Sequence, residues 1–175
     1  IGSGAVWSTS GFNGATWACG KLTLTNATLT LKKTSALTTP KFLVEAKVTL
    51  GTISKPNKWA VLIRTTRDKN TSRYDCGIWK DPSYAKVPGL RLVSKCSGHS
   101  HPESKIPGNA GETYFIQSYW SGTKQVCRIL DKSGKLIIEK STAGCTMNPR
   151  PARELAVSTV DRALTLHHVR VFKVP

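Results

Sequence analysis

The sequence is short of acids and of long apolar runs. Asp and Glu total 10 against 26 Lys and Arg, a formal net charge of +16. No apolar run approaches the ~20 residues that a membrane-spanning helix needs. None of the five cysteines stands in a Cys-x-x-Cys pair, which argues against a zinc ribbon or a thioredoxin-type redox site. Helical periodicity and internal repeats are absent. The basic residues are spread along the chain and form no tail, and no nucleic-acid motif is present, so a nucleic-acid role is not expected. The chain opens Ile1-Gly2-Ser3-Gly4 without a methionine. That start fits a removed signal or pro-segment, or a domain cut from a longer chain.

What is present is alternation. Phe42, Val44, Ala46, Val48 and Leu50 alternate with Leu43, Glu45, Lys47 and Thr49, the period of two of a half-buried strand. Trp59, Val61 and Ile63 repeat the pattern against Ala60, Leu62 and Arg64, which places Trp59 and Ile63 inside and Arg64 on the opposite face. Tyr74, Cys76 and Ile78 mark a third strand. The three strands read as an antiparallel meander. Leu22 and Leu24 share one parity and Leu29 and Leu31 the other, so a hairpin with its turn at Thr25-Asn26-Ala27 is predicted.

Further strands are expected over 90–95, 113–121, 124–131, 135–141, 154–159 and 164–174, with a turn at Asp131–Gly134. Loops are expected over 80–89, 97–111 and 142–153. Residues 1–20 read as irregular chain in which Trp7 and Trp17 either cover the end of a sheet or present a surface for stacking sugars. About ten or eleven short strands make one all-β domain over the 175 residues, a two-sheet antiparallel sandwich or jelly roll.

Widely spaced cysteines on strands fit disulfides in an oxidising compartment. Local pairing gives Cys76–Cys96 and Cys127–Cys145, leaving Cys19 over; the other pairings of these four stay open. Two glycosylation sequons, at Asn26 and Asn70, fall on expected turns and also point to a secreted or cell-surface protein. The excess of Lys and Arg favours a polyanionic partner, such as an acidic polysaccharide or an anionic surface.

With the strands placed, the chain resembles the concanavalin A-like lectin/glucanase superfamily, and within it the laminin-G-like branch. The blocks that carry the resemblance are Phe42-Leu-Val-Glu-Ala-Lys-Val48, Trp59-Ala-Val-Leu-Ile-Arg64 followed by Tyr74-Asp-Cys-Gly-Ile-Trp79, Gly111–Gly122, Val126–Asp131 with Gly134–Ile137, and Leu155–Val160 with Leu166–Phe172. The resemblance implies a disulfide-stabilised jelly roll, and a family that includes lectins, glycosidases, polysaccharide lyases and adhesion modules. The Glu-x-Asp-x-x-Glu cluster of the family's glycosidases is missing, and Glu45 stands alone in its strand.

Three functions follow as expectations. The first is a non-catalytic module that binds glycan or acidic polysaccharide. Trp79, Tyr84, Tyr119 and Trp120 would be its aromatic platforms, and Arg64, Arg91, Lys95 and Arg128 would meet sulfates or uronates. The second is a polysaccharide lyase using Arg64, Gln117, Tyr119 and His99 to neutralise a uronate and move its proton. The third is a structural subunit of an extracellular assembly that self-associates, with Cys19 between chains. No cofactor and no metal are expected. His99, His101 and Glu103 match no recurring metal spacing, and the loop acids Asp68, Asp81 and Asp131 lack the run of acids that calcium requires. His167 and His168, adjacent on one strand, are expected to point to opposite faces.

Overall fold

A computed structural model describes residues 7–11, 15–18, 21–31, 41–66, 73–83, 85–94, 98–100, 106–121, 124–142 and 154–175. These residues form fourteen strands and no helix, hence no helix long and apolar enough to cross a membrane. In chain order they are β1 (Trp7–Gly11), β2 (Ala15–Ala18), β3 (Lys21–Thr25), β4 (Ala27–Leu31), β5 (Lys41–Ile53), β6 (Trp59–Thr66) and β7 (Arg73–Asp81). They continue with β8 (Ala85–Ser94), β9 (Gly98–Ser100), β10 (Thr113–Ser121), β11 (Gln125–Leu130), β12 (Leu136–Ser141), β13 (Glu154–Val160) and β14 (Arg162–Lys173).

The strands build two seven-stranded antiparallel sheets. The first has the order β1-β4-β13-β6-β7-β8-β9 and the second β12-β11-β10-β5-β14-β3-β2. The predicted alternation sets which residues lie between them. Phe42, Val44, Ala46, Val48 and Leu50 of β5, Trp59, Val61 and Ile63 of β6, and Ile116 and Trp120 of β10 all belong to one buried cluster. Removing so many apolar side chains from water is the dominant stabilising term, at about 25 cal/mol per Å². Trp120 lies at its centre. Its ring stacks on Phe42 with centroids 6.0 Å apart and meets the edge of Tyr74 at 4.9 Å.

Sheet membership departs from the sequence expectation in three places. β3 and β4 do not pair: β3 lies beside β14 in the second sheet and β4 beside β13 in the first. The parity change at Asn26 is a crossing between sheets, since a strand that moves to the facing sheet must turn its other side inward. β5 likewise belongs to the second sheet and β6 to the first, so the meander is β6-β7-β8-β9. The segment 1–20, expected to be irregular, holds β1 and β2 on the sheet edges. β8 begins at Ala85, inside the expected loop over 80–89, and β9 falls in the expected loop over 97–111. The turn at Asp131 forms as predicted, with the Asp131 carboxylate accepting from the backbone N–H groups of Ser133 and Lys135.

The disulfide also differs. Cys76 of β7 bonds to Cys127 of β11, joining the two sheets through the core. Local pairing fails because both residues point inward from facing sheets, which separation along the chain does not reveal. Cys19, Cys96 and Cys145 lie outside the described residues.

Candidate functional site

The outer face of the first sheet is unusually well covered. Residues of β6, β7, β8 and β13 whose parity points away from the core include Leu62, Asp75, Trp79 and Ser158, and these are also buried. A depression of about 300 Å³ opens on this face, lined among others by Trp59, Leu62, Arg64, Trp79, Arg91 and Val160. Gly77 sits opposite Leu62 beneath it. A Cβ there would come within 2.1 Å of the Val61 carbonyl oxygen, so only glycine fits.

Asp75 organises the depression. Its side chain is wholly buried, and Arg64 Nε donates to its Oδ1 at 2.8 Å. Arg91 Nε stands 3.5 Å from its Oδ2. The carboxylate thus holds two guanidinium groups side by side, Arg64 from β6 and Arg91 from β8. The Arg91 guanidinium also lies 4.2 Å from the centre of the Trp79 ring, a cation–π geometry. At the rim, Lys58 pairs with Asp81 at 3.0 Å. The hydrogen bond from Lys58 holds the Asp81 carboxyl below the usual carboxylate range. Lys80 donates to the carbonyl of Pro56.

Beneath one end, the buried Arg162 guanidinium stacks 4.2 Å from the Trp59 ring and donates from Nη1 to the Gly108 carbonyl at 2.7 Å. Burial lowers its pKa to about 10.

No family model matches the sequence, and no curated protein matches it. Solved structures do match. The exoplasmic/lumenal domain of VIP36 in its calcium-bound form has a TM-score of 0.71 at 10% identity, over 100% of this chain and 87% of that one. The CBM2 module of the evolved Dit of Lactobacillus casei BL23 phage J-1 has a TM-score of 0.66 at 11% identity, over 97% and 90%. A glycoside hydrolase family protein from Mycobacterium thermorestibile has a TM-score of 0.59 at 10% identity, over 88% and 77%. The fold is concanavalin A-like. At these identities the likeness concerns the fold alone.

On this concanavalin A-like frame, three of the residues expected to bind ligand come together: Arg64, Arg91 and Trp79. Trp79 is only 5% exposed with Arg91 against its ring, so it is a floor for the arginine and not the open stacking platform expected. Trp120 is not a ligand platform. It shares parity with Tyr114 and Ile116 and is fully buried in the core. Tyr119 and Arg128 point outward from the second sheet, where Arg128 forms an ion pair with Glu139. Lys95, Tyr84, His101, Glu103, Asp68 and Asn70 lie outside the described residues, as does the side chain of His99.

The lyase set is split. Gln117 and Tyr119 face outward from the second sheet and Arg64 faces outward from the first, so no single substrate group reaches all three. Gln117 Nε2 donates to Glu45 Oε2 at 2.9 Å. The two histidines, expected on opposite faces, share one. A register shift between Leu166 and His168 breaks the alternation of β14. His168 Nε2 then lies 3.2 Å from Glu45 Oε1 and His167 Nε2 2.7 Å from Thr49 Oγ1, and Glu45 and Thr49 occupy the same side of β5. Among the described residues, no group of three or more His, Cys, Asp or Glu could hold a metal ion.

Asp75 and Arg162 were not among the expected site residues. Asp75 carried a signal, because it alternates with Tyr74 and Cys76 and so had to face away from the core between two arginine-bearing strands. Arg162 carried none, since it falls between the strands expected over 154–159 and 164–174.

Proposed function

We propose that this protein is a non-catalytic carbohydrate-binding module that seats an acidic sugar unit in the depression of the first sheet. The observation that carries the reading is the pair of guanidinium groups held by buried Asp75. Arginine presents a planar fork of donors that suits sulfate or carboxylate, and prior orientation by Asp75 reduces the entropy lost on binding. Val160, 44% exposed at the rim, supplies apolar surface for a ring face, over a floor closed by Trp59 and Leu62. The CBM2 module and the Man3GlcNAc-bound form of the VIP36 domain, which has a TM-score of 0.66, support sugar binding as a use of this fold.

The carboxylates near the depression favour binding over hydrolysis. Asp75 is buried between two arginines and Asp81 is paired with Lys58, whereas glycosidases need two carboxyl groups flanking one bond. The disulfide and the lumenal origin of one structural neighbour support an extracellular or secretory-pathway setting. A glycan on Asn26 would attach at Nδ2 and leave Oδ1 free to accept its hydrogen bond.

The test is an array of neutral, sulfated and uronate glycans probed at low and high salt with the wild type, Arg64→Ala and Arg91→Ala. Each substitution is expected to weaken binding about tenfold or more. Absence of binding to every glycan overturns the proposal, as does binding that neither substitution changes.

A further inference from the structure

The outer face of the second sheet carries charge that the depression does not use. On β5 the residues opposite the core are Lys41, Leu43, Glu45, Lys47 and Thr49. On the neighbouring strands Arg170 stands in register with Glu45, and Arg128 with Gln117. Lys21 of β3 is exposed with the same outward parity. Five cations therefore face outward, Lys21, Lys41, Lys47, Arg128 and Arg170, against two acids, Glu45 and Glu139.

Both acids are occupied. Glu45 takes Gln117 on one oxygen and His168 on the other, and Glu139 pairs with Arg128. Lys21, Lys47 and Arg170 have no such acid partner among the described residues. Thr49, Thr113 and Gln117 lie among the cations. Thr49 Oγ1 is 2.7 Å from Thr113 Oγ1. The footprint spans nine residues of β5, Lys41 to Thr49, about 27 Å along the strand, and five strands from β11 to β3, about 19 Å across.

We propose that this face is a second binding surface, for an acidic polysaccharide laid flat across β11-β10-β5-β14-β3. The cations match spaced sulfates or carboxylates, and the hydroxyl and amide side chains among them match the sugar hydroxyls between those groups. Tyr119 and Phe172, in register with Leu43 on either side of it, add ring faces for sugars to stack on, and the DNA arm of the test below separates a polysaccharide from a single-stranded nucleic acid, which would use the same rings. Phe115 has the Lys47 ammonium 5.2 Å from its ring centre on this face and His168 beside it. The surface lies on the opposite side of the sandwich from Arg64 and Arg91, and stands whether or not the depression holds a sugar.

The test titrates heparin and polygalacturonate into the full chain at several salt concentrations. Lys47→Gln/Arg170→Gln is expected to weaken binding about tenfold at about 0.1 M salt, with a shallower dependence on salt. Lys132→Gln/Lys135→Gln, which removes the same charge from the exposed β11–β12 turn, is expected to change it less than about twofold. Glu45→Gln keeps a side chain of the same shape and is expected to tighten binding about threefold, so one variant gains where another loses. Thermal unfolding checks that each variant is folded. Equal losses in the two double variants overturn the proposal, since net charge alone would then explain binding. So does an unchanged or weakened Glu45→Gln, and so does tighter binding of duplex or single-stranded DNA than of either polysaccharide. Arg64→Ala and Arg91→Ala separate the two faces: each weakens binding of the depression's ligand about tenfold or more and leaves heparin binding in place.

Discussion

The backbone N–H of Asp161 donates to the side-chain oxygen of Asn26, and both residues hold a left-handed backbone, with φ of 54° and 45°. Asn26 is the corner between β3 and β4, and Asp161 the corner between β13 and β14. Each corner carries the chain from one sheet to the other, in opposite directions, and the hydrogen bond fastens one to the other. Asn and Asp tolerate this conformation better than other residues with a side chain.

Asn26→Ala is therefore expected to lower stability by about 1–3 kcal/mol, because it leaves a partly buried N–H without its acceptor and places alanine at positive φ. Asn26→Asp keeps an acceptor and is expected to stay within about 1 kcal/mol of the wild type. Urea unfolding of both variants provides the comparison, and equal losses would show that the hydrogen bond contributes nothing.

Asp75 sits between two guanidinium groups, so Asp75→Ala leaves two cations facing each other in a mostly covered place. A loss of about 3–5 kcal/mol is expected. Adding Arg64→Ala is expected to recover part of it, with a coupling of about 1–3 kcal/mol in a double-mutant cycle measured by denaturant unfolding. Strict additivity would remove Asp75 as the group that orders the depression.

The covalent link between Cys76 and Cys127 closes a loop of 51 residues. Replacing both cysteines by alanine is expected to cost about 4 kcal/mol in the chain-entropy model. Non-reducing proteolysis and mass spectrometry should recover one peptide pair containing Cys76 and Cys127. A pair joining Cys76 to Cys96 would contradict the structure.

The protein should lose stability in acid. Lys58 lowers the pKa of Asp81, and the Ser133 side chain lowers that of Asp131. Glu112 is raised by burial but lowered further by bonds from Tyr114 and Asn109, and ends below its ordinary value. Each carboxylate contributes fully above its unfolded value, 3.8 for Asp and 4.5 for Glu, and the contribution is lost as pH falls through the lower folded value. His167 acts in the same direction. Burial, with Lys21, Lys47 and His168 nearby, lowers its pKa from 6.5, so the unfolded chain takes up a proton first as pH drops. Midpoints of thermal unfolding from neutral pH to about pH 3 should fall steadily, and Asp81→Asn should flatten the lower part of the curve.

The strands were legible in the sequence because burial on one side writes a period of two. Phe42 to Leu50 and Tyr114 to Trp120 follow it throughout. Trp120 could even have been placed in the core from its parity with Ile116; its ring chemistry argued otherwise and misled. Sheet membership was less legible. A parity change at Asn26 looks the same for a hairpin and for a crossing, and the path from β5 to β6 leaves no mark at all. The bulge at His167 is likewise silent, because one extra residue changes a side chain's face without changing the composition. Of the site, Arg64, Arg91 and Trp79 were named in advance, while Asp75 was passed over although its alternation with Tyr74 and Cys76 already turned it away from the core.

The Cys76–Cys127 bond joins the strand that carries Asp75 to the strand that carries Arg128. The two outer faces are thus mechanically in series. A ligand pulled on one side and an anchor held on the other load a covalent tie through the middle of the sandwich, and the sheets cannot slide apart by shear while that tie is intact.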